Sequence, residues 1–265
     1  MTKLIWMSDL HFLAGDRLVA GHDPKVRLQA AVDHIRQHYQ DADFCVISGD
    51  LVNEGNADDY RALEQQLAGL GIDYLLMVGN HDDRAQLAQV FPRPKGAMPD
   101  HWQYYRQVDG GLYVFLDTLK PGSGAGEFCA ERMGWLQDLL SANSQMPTYI
   151  FMHHPPMPLG LPRQDEIMLE QGGEFLELIA MHPQLKHLFI GHVHRPVTGV
   201  INGVPYATMR SVLYQAPPPR PDWDWEGFAP AQEAPAYGVL QIKGGDVTVQ
   251  YTQFCAYEFG VSTGA

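Results

Sequence analysis

Short polar motifs rich in aspartate, histidine and asparagine follow five apolar stretches of this chain. The run Phe44-Cys45-Val46-Ile47, apolar throughout and bounded by polar residues, predicts a strand buried on both faces, as in a parallel sheet. Gly49 then permits a tight turn and Asp50 presents a carboxylate. The other four stretches end in the same way. In chain order the motifs are Ser8-Asp9-Leu10-His11, Ser48-Gly49-Asp50, Gly79-Asn80-His81-Asp82, His153-His154-Pro155-Pro156 and Gly191-His192-Val193-His194.

These motifs predict a metal site. Because ligands of open α/β sheets bind at the carboxyl ends of the strands, we expect the five motifs to meet at one edge of one sheet. Oxygen and imidazole donors without thiolates suit Mn, Fe, Co or Zn at a hydrolytic centre. Each residue alone could cap a helix or satisfy a polar turn, but their convergence favours the metal site.

The segments between the motifs must supply the elements that position them. Apolar residues at helical spacing predict helices over residues 26–39 and 58–70, so strands and helices alternate. That alternation predicts right-handed crossovers and a mostly parallel sheet. Strands near residues 102–108 and 112–116 are expected to pair with each other and to begin a second, mixed sheet. Later hairpins are predicted about Asn202-Gly203 and Gly244-Gly245.

Length and charge limit the classes of function. A chain of 265 residues has room for one α/β domain, which we expect to span residues 1–265. Its 18 basic and 31 acidic residues give a net charge of −13, which argues against a nucleic acid partner bound through phosphate contacts.

Cysteine usage and hydropathy predict a cytoplasmic protein with no membrane partner. Cys45 lies within a predicted strand and is expected to be a small core residue, while a disulfide between Cys129 and Cys255 is left open. Residues 1–7 are too short for the core of a signal peptide. No apolar run reaches the roughly 18 residues of a membrane span.

As a set, the motifs resemble the calcineurin-like metallophosphoesterase family over residues 4–195. The resemblance is carried by the residues of the five motifs, in the family's order. A closer similarity, to the glycerophosphodiesterase and class III cyclic-nucleotide phosphodiesterase branch, rests on Met152-His153-His154-Pro155-Pro156 followed by Pro158-Leu159-Gly160. The family implies an α/β fold: a two-sheet β-sandwich flanked by helices, with four layers in the order αββα.

The resemblance also implies a dinuclear site. One divalent ion would be held by Asp9, His11 and His194, the other by Asn80, His153 and His192, and Asp50 would bridge them. His81, with Asp50, would be catalytic: it would hydrogen-bond the phosphoryl oxygens and help protonate the leaving alkoxide. Asn53 stands where purple acid phosphatases carry a tyrosine ligand, so a divalent pair is expected in place of a ferric centre. We rank Mn, Fe or Co ahead of Zn.

The activity implied is hydrolysis of a small phosphodiester, either a glycerophosphodiester or a cyclic nucleotide, by in-line attack of metal-bound hydroxide. A phosphomonoesterase and a nuclease are the alternatives within the family, and the acidic charge counts against the nuclease. A non-catalytic scaffold is the third alternative, although no ligand position is empty.

Several roles stay open at this stage. His154 either orients His153 or contacts substrate, and Asn53 either contacts phosphate or caps a turn. Arg210, beside Tyr214, either binds phosphate or forms a surface salt bridge, which we favour. The insertion 157–171 and the proline-rich aromatic loop 216–236 are expected to be cap or oligomer elements. The loop's Trp223, Trp225 and Phe228 could stack on a nucleobase, but we favour a subunit interface and predict a homo-oligomer.

Overall fold

The computed structural model describes residues 1–220 and 224–262, which form two β-sheets with helices packed against them. The strands are β1 (Thr2–Met7), β2 (Phe44–Ile47), β3 (Tyr74–Leu76), β4 (Tyr104–Val108), β5 (Gly111–Phe115), β6 (Thr148–Met152), β7 (Leu185–Ile190), β8 (Thr198–Ile201), β9 (Val204–Thr208), β10 (Ala236–Lys243) and β11 (Asp246–Gln253). The helices are α1 (Pro24–His38), α2 (Ala57–Leu67), α3 (Arg84–Val90), α4 (Ala130–Ala142) and α5 (Gly172–Ala180), with a 3₁₀ helix at Gln164–Ile167.

The two sheets divide the parallel strands between them. The first has the order β11-β10-β1-β2-β3, in which β1, β2 and β3 are parallel. The second has the order β4-β5-β6-β7-β9-β8, with β5, β6, β7 and β9 parallel between antiparallel edges. The predicted α/β two-sheet sandwich and its second, mixed sheet are confirmed.

The expectation that all five motifs lie at one edge of one sheet is wrong. Three motifs follow β1, β2 and β3 of the first sheet, whereas two follow β6 and β7 of the second. The reason is that β4 and β5 pair as an antiparallel hairpin, and β6 then adds beside β5 rather than beside β3. The chemistry therefore gathers where the ends of two sheets face each other.

Successive residues along the central strands of the second sheet point to opposite faces, and each face packs against a different layer of the fold. Phe115, Phe151 and Phe189 belong to the core shared with the first sheet, and Phe151 stacks on the other two rings at centroid distances of 5.5 and 4.5 Å. Trp6 of β1 meets Phe189 edge to face at 5.2 Å. Their sequence neighbours, such as Ile150, face the opposite way and pack with α4 and α5. Helices thus cover the outer face of this sheet.

Local sequence explains how the first helix begins. The carboxylate of Asp23 accepts hydrogen bonds from the backbone N–H groups of Lys25 and Val26, and Pro24 occupies the first turn, where its missing N–H costs nothing. The face of α1 that carries Leu28, Ala31, Val32 and Ile35 is then buried in the core of the first sheet.

The cysteine and hairpin predictions can be compared directly with the structure. All three cysteines are free, and burial raises the pKa of the Cys45 thiol within the core. The hairpin between β8 and β9 turns at Asn202 and Gly203, both with positive φ, as predicted. None of the helices in the described ranges has the length and apolar composition needed to cross a membrane.

Candidate metal centre

The predicted ligands meet in a buried cleft between the two sheets. Asp9, His11 and Asp50 come from the loops after β1 and β2, whereas His153, His192 and His194 come from the loops after β6 and β7. Asn80 follows β3 and accounts for the last predicted ligand. All seven predicted ligands therefore lie at the facing ends of the sheets.

Five of these seven residues have a left-handed backbone, although none is glycine. The φ angles are 55° for Asp9, 43° for His11, 50° for Asp50, 69° for His192 and 51° for His194. Such a conformation costs about 1–3 kcal/mol per residue and persists where the surrounding structure compels it, most often at functional sites. The sharp turns aim the side chains inward from the strand ends.

One group of donors contains Asp9, His11, Asp50 and His194, with donor atoms that all lie within 4.8 Å of one another. His11 Nε2 lies 3.1 Å from His194 Nε2 and 3.6 Å from Asp50 Oδ2. His194 Nε2 is 3.4 Å from Asp9 Oδ1.

A second group lies beside it and involves the same carboxylate. His153 Nε2 is 3.4 Å from Asp50 Oδ2 and 3.3 Å from Asn80 Oδ1. His153, His154 and His192 also place one ring nitrogen each within 4.8 Å of one another. Asp50 Oδ2 thus approaches a histidine of each group.

The hydrogen bonds of the outer ring nitrogens show that these donors fit a cation. His153 Nδ1 donates to the Ser48 carbonyl oxygen at 2.8 Å, and His194 Nδ1 donates to that of Tyr214 at 2.9 Å. Their Nε2 atoms therefore face carboxylate oxygens, an arrangement that a proton or a metal cation between them would stabilise. Asp9 Oδ2 and His192 Nε2 are buried without a hydrogen-bond partner, as expected of ligand atoms.

The pKa shifts of the site residues reflect their burial and the negative charge of the two carboxylates. Burial lowers the pKa of His11 and of His192 to about 3, so both rings are neutral at ordinary pH. Burial also acts to lower the pKa of His153, but the carboxylates of Asp50 and Asp9 outweigh it and raise that pKa to about 9. Despite burial, His153 and its neighbours hold the pKa of Asp50 well below its usual range. A proton on His153 here balances carboxylate charge, as a bound cation would.

His81 lies at the open side of the site. Its backbone N–H donates to Asp50 Oδ1 at 2.9 Å, and its Nδ1 donates to the Asn53 carbonyl oxygen at 2.9 Å. The ring is exposed and lines a cavity of about 220 Å³ above the metal-binding groups. Loss of solvent around the ring acts to lower the pKa of His81, but the Asp50 carboxylate and the hydrogen bond to Asn53 outweigh this effect, so the pKa is raised.

Sequence reasoning gave no role to Asp82, which supports the site from beneath. Its buried carboxylate accepts hydrogen bonds from the N–H groups of Gly79 and Leu51 at 2.8 and 3.2 Å, and from the Tyr60 hydroxyl at 2.8 Å. It therefore joins the loop that carries Asn80 to the loop that carries Asp50. Its place in the Gly79-Asn80-His81-Asp82 motif was the only signal in the sequence.

The cavity wall comes from the insertion and from the proline-rich loop. Gln164 and Ile167 of the insertion face Tyr214, Trp225 and Phe228 across the opening. The tyrosine ring also stacks near the rings of His11 and His194, at centroid distances of 5.7 and 4.7 Å. These aromatic residues thus line the opening above the predicted ligands, and the homo-oligomer stays a prediction.

The open assignment of Arg210 is now decided, the role of the Asn53 side chain stays a prediction, and one assignment lies outside the described residues. Arg210 Nη2 pairs with Glu233 at 2.9 Å, so the salt bridge that we favoured is confirmed. Asn53 holds His81 through its backbone carbonyl. Trp223, which was considered for base stacking, lies outside the residues that the structure describes.

Comparison with known proteins places these features in context. A model of the calcineurin-like phosphoesterase family matches residues 2–196. A probable cyclic nucleotide phosphodiesterase of Rhodopseudomonas palustris is 33% identical over 256 residues, which cover 95% of this chain and 92% of that protein. The glycerophosphodiester phosphodiesterase GpdQ of Enterobacter lignolyticus is 31% identical over 219 residues, which cover 81% of this chain and 78% of that protein. The crystal structure of a dimetal phosphatase from Danio rerio aligns with a TM-score of 0.73 at 14% identity, over 96% of this chain and 97% of that one, which shows a shared fold.

Proposed function

This chain belongs to the calcineurin-like phosphoesterase family, and from that premise we propose that it is a phosphodiesterase with two divalent metal ions at its site. Its substrates are small diesters, either glycerophosphodiesters or cyclic nucleotides, the two classes named in the relatives of similar length. The observation that carries the dinuclear proposal is the position of Asp50. One oxygen of its carboxylate lies 3.6 Å from His11 Nε2 and 3.4 Å from His153 Nε2, between the two groups of donors.

The donor set divides naturally between two ions. Asp9, His11 and His194 would hold one ion, while Asn80, His153 and His192 would hold the other, with Asp50 shared between them. Bound ions of this kind supply an acidified water and neutralise charge on the phosphoryl oxygens. Nitrogen and oxygen donors without thiolate suit Mn, Fe, Co or Zn; of these we expect Mn, Fe or Co ahead of Zn.

The remaining residues bind and orient the diester. The fixed Nδ1 of His81 leaves its other nitrogen for a phosphoryl or leaving-group oxygen, at the edge where the cavity opens. The apolar wall formed by Tyr214, Trp225 and Phe228 would receive the alcohol group of the substrate.

The reaction class is tested by a paired assay. After reconstitution with Mn²⁺, we expect kcat/KM for a bis-aryl phosphodiester to exceed that for the matching aryl monoester at least tenfold, about 1.4 kcal/mol in barrier. A preference for the monoester would make the protein a phosphatase, and no hydrolysis of either would favour the scaffold. A glycerophosphodiester and 3′,5′-cyclic AMP then distinguish the two diester classes.

The role proposed for His81 predicts a separation between activity and metal binding. The variant His81→Ala should lose roughly a hundredfold or more in kcat, because it lacks the group that meets the leaving oxygen. Its metal content should equal that of the wild type, because His81 is not a proposed ligand. His38→Ala, on the exposed face of α1, is the matched histidine control and should change neither quantity. Loss of an ion from His81→Ala would contradict the assignment.

A further inference from the structure

His154 is a buried histidine at the site for which the proposed mechanism gives no role. Its Nδ1 lies 2.8 Å from the Thr118 hydroxyl and the ring also interacts with the backbone of Gly124, whereas its Nε2 is buried and has no hydrogen-bond partner among the described residues. If Nε2 carried the proton, an N–H group would be buried without an acceptor, at a cost of about 1–3 kcal/mol. The favoured tautomer therefore has its proton on Nδ1, donated to Thr118, and a free lone pair on Nε2.

The surrounding loop is built around this ring. Gly126 lies so close to it that a Cβ there would come within 2.5 Å of His154 Cγ. The same loop is fixed by hydrogen bonds from Gly126 N to the Met168 carbonyl oxygen and from Glu127 N to that of Thr118. The ring is therefore held in one position by the segment between β5 and α4 and by the insertion.

His154 belongs to a group of three histidines beside the proposed second ion. The ring centroid of His154 lies 4.6 Å from that of His192, whose Nε2 is also buried without a partner. Together with His153, these histidines place one ring nitrogen each within 4.8 Å of one another. Three converging imidazoles are a donor set that suits a first-row divalent ion.

The two roles considered from the sequence fit this geometry less well. Direct contact with substrate requires access, but the Nε2 atom is buried and His154 does not line the cavity. An orienting role requires a hydrogen bond between His154 and His153. However, Nδ1 of His153 already donates to the Ser48 carbonyl oxygen, and Nε2 of His153 faces Asn80 and Asp50. We propose that His154 Nε2 is a further ligand of the second ion, held in place by Thr118. This inference rests on the proposed dinuclear function.

Proton NMR of the Co²⁺-loaded protein tests this directly, because a histidine bound to Co²⁺ gives a hyperfine-shifted signal from its ring N–H. We expect the wild type to show one such exchangeable signal that is absent from His154→Gln, and the variant to bind the second ion at least about tenfold more weakly. His187→Gln is the matched control, because this buried histidine stacks on Phe189 away from the site and its loss should leave every shifted signal in place. An equal number of shifted signals in the wild type and His154→Gln would overturn the proposal.

A second variant covers the case in which His154→Gln does not fold. Thr118→Val keeps the ring but removes the acceptor of its Nδ1–H, so one shifted signal should exchange faster with water while the others are unchanged. Unaltered exchange of every signal would overturn the proposal. Diester hydrolysis by the wild type, measured in parallel, separates the two hypotheses: an active enzyme without the His154 signal refutes this inference alone, whereas an enzyme that binds no Co²⁺ and hydrolyses nothing refutes the proposed function with it.

Discussion

Replacing Asp50 with asparagine is expected to lower kcat/KM for a phosphodiester by at least about a thousandfold, or ~4 kcal/mol in barrier. The amide oxygen can still accept the N–H of His81, which Asp50 Oδ1 accepts at 2.9 Å. The amide nitrogen then replaces Oδ2, the atom that lies between His11 and His153. A shared anionic donor becomes a group that cannot bind a cation, so both activity and metal content should fall.

Steady-state kinetics and metal analysis of the same preparations measure this effect. The matched control is Asp33→Asn, an exposed carboxylate on α1 whose pairing with Arg36 is solvent-screened and contributes little. It should retain wild-type activity and metal content. An Asp50→Asn protein that kept two ions and more than a tenth of the activity would contradict the proposal that Asp50 bridges them.

The second large effect concerns stability, and it arises at Asp82. Asp82→Ala removes a buried carboxylate and leaves the N–H groups of Gly79 and Leu51 and the hydroxyl of Tyr60 without their acceptor. Because each buried group without a partner costs about 1–3 kcal/mol, we expect the free energy of unfolding to fall by about 4 kcal/mol. Urea denaturation in the presence of a chelator measures this quantity without a contribution from bound metal.

The neighbouring residue supplies the control for Asp82. Asp83 caps α3 by accepting hydrogen bonds from the N–H groups of Ala85 and Gln86. Its replacement by alanine should cost only about 1 kcal/mol, typical of a lost helix cap. If Asp82→Ala destabilised the protein no more than Asp83→Ala does, Asp82 would not join the two ligand loops in the way inferred from its hydrogen bonds.

The local features of this fold could be predicted from the sequence, and its long-range pairings only in part. Apolar runs that end in polar motifs located β1, β2, β3, β6 and β7, because a strand buried on both faces leaves a strong local pattern. The division of these strands between two sheets depends on β6 pairing with β5, a contact between distant segments that no local pattern records. The second, mixed sheet was expected from the strand pair near residues 102–116, and the sandwich of two sheets from the family resemblance, but neither indicated that β6 and β7 belong to the second sheet.

In the candidate site, too, local features could be predicted from the sequence, whereas contacts between distant segments could not. Donor types at the strand ends indicated a metal site, and the family resemblance then implied the seven predicted ligands, whose roles stay predictions. The role of Asp82 beneath these ligands could not be predicted from the sequence. Its partners are backbone N–H groups and a hydroxyl group that only the fold brings close to it. The free Nε2 of His154 could not be predicted either. It is inferred from the contact between His154 Nδ1 and Thr118, residues that are 36 positions apart in the chain.

The division of the ligands between two sheets has a consequence for folding. In the proposed site, each ion draws on side chains of both sheets, so a bound ion acts as a cross-link across the sandwich. Binding to the native state alone at a free concentration about a thousand times Kd adds about 4 kcal/mol to stability, a sizeable share of the margin of a typical domain. Metal supply would then govern both the rate of hydrolysis and the lifetime of the enzyme in the cell, because a metal-starved copy would open between its sheets and be degraded first.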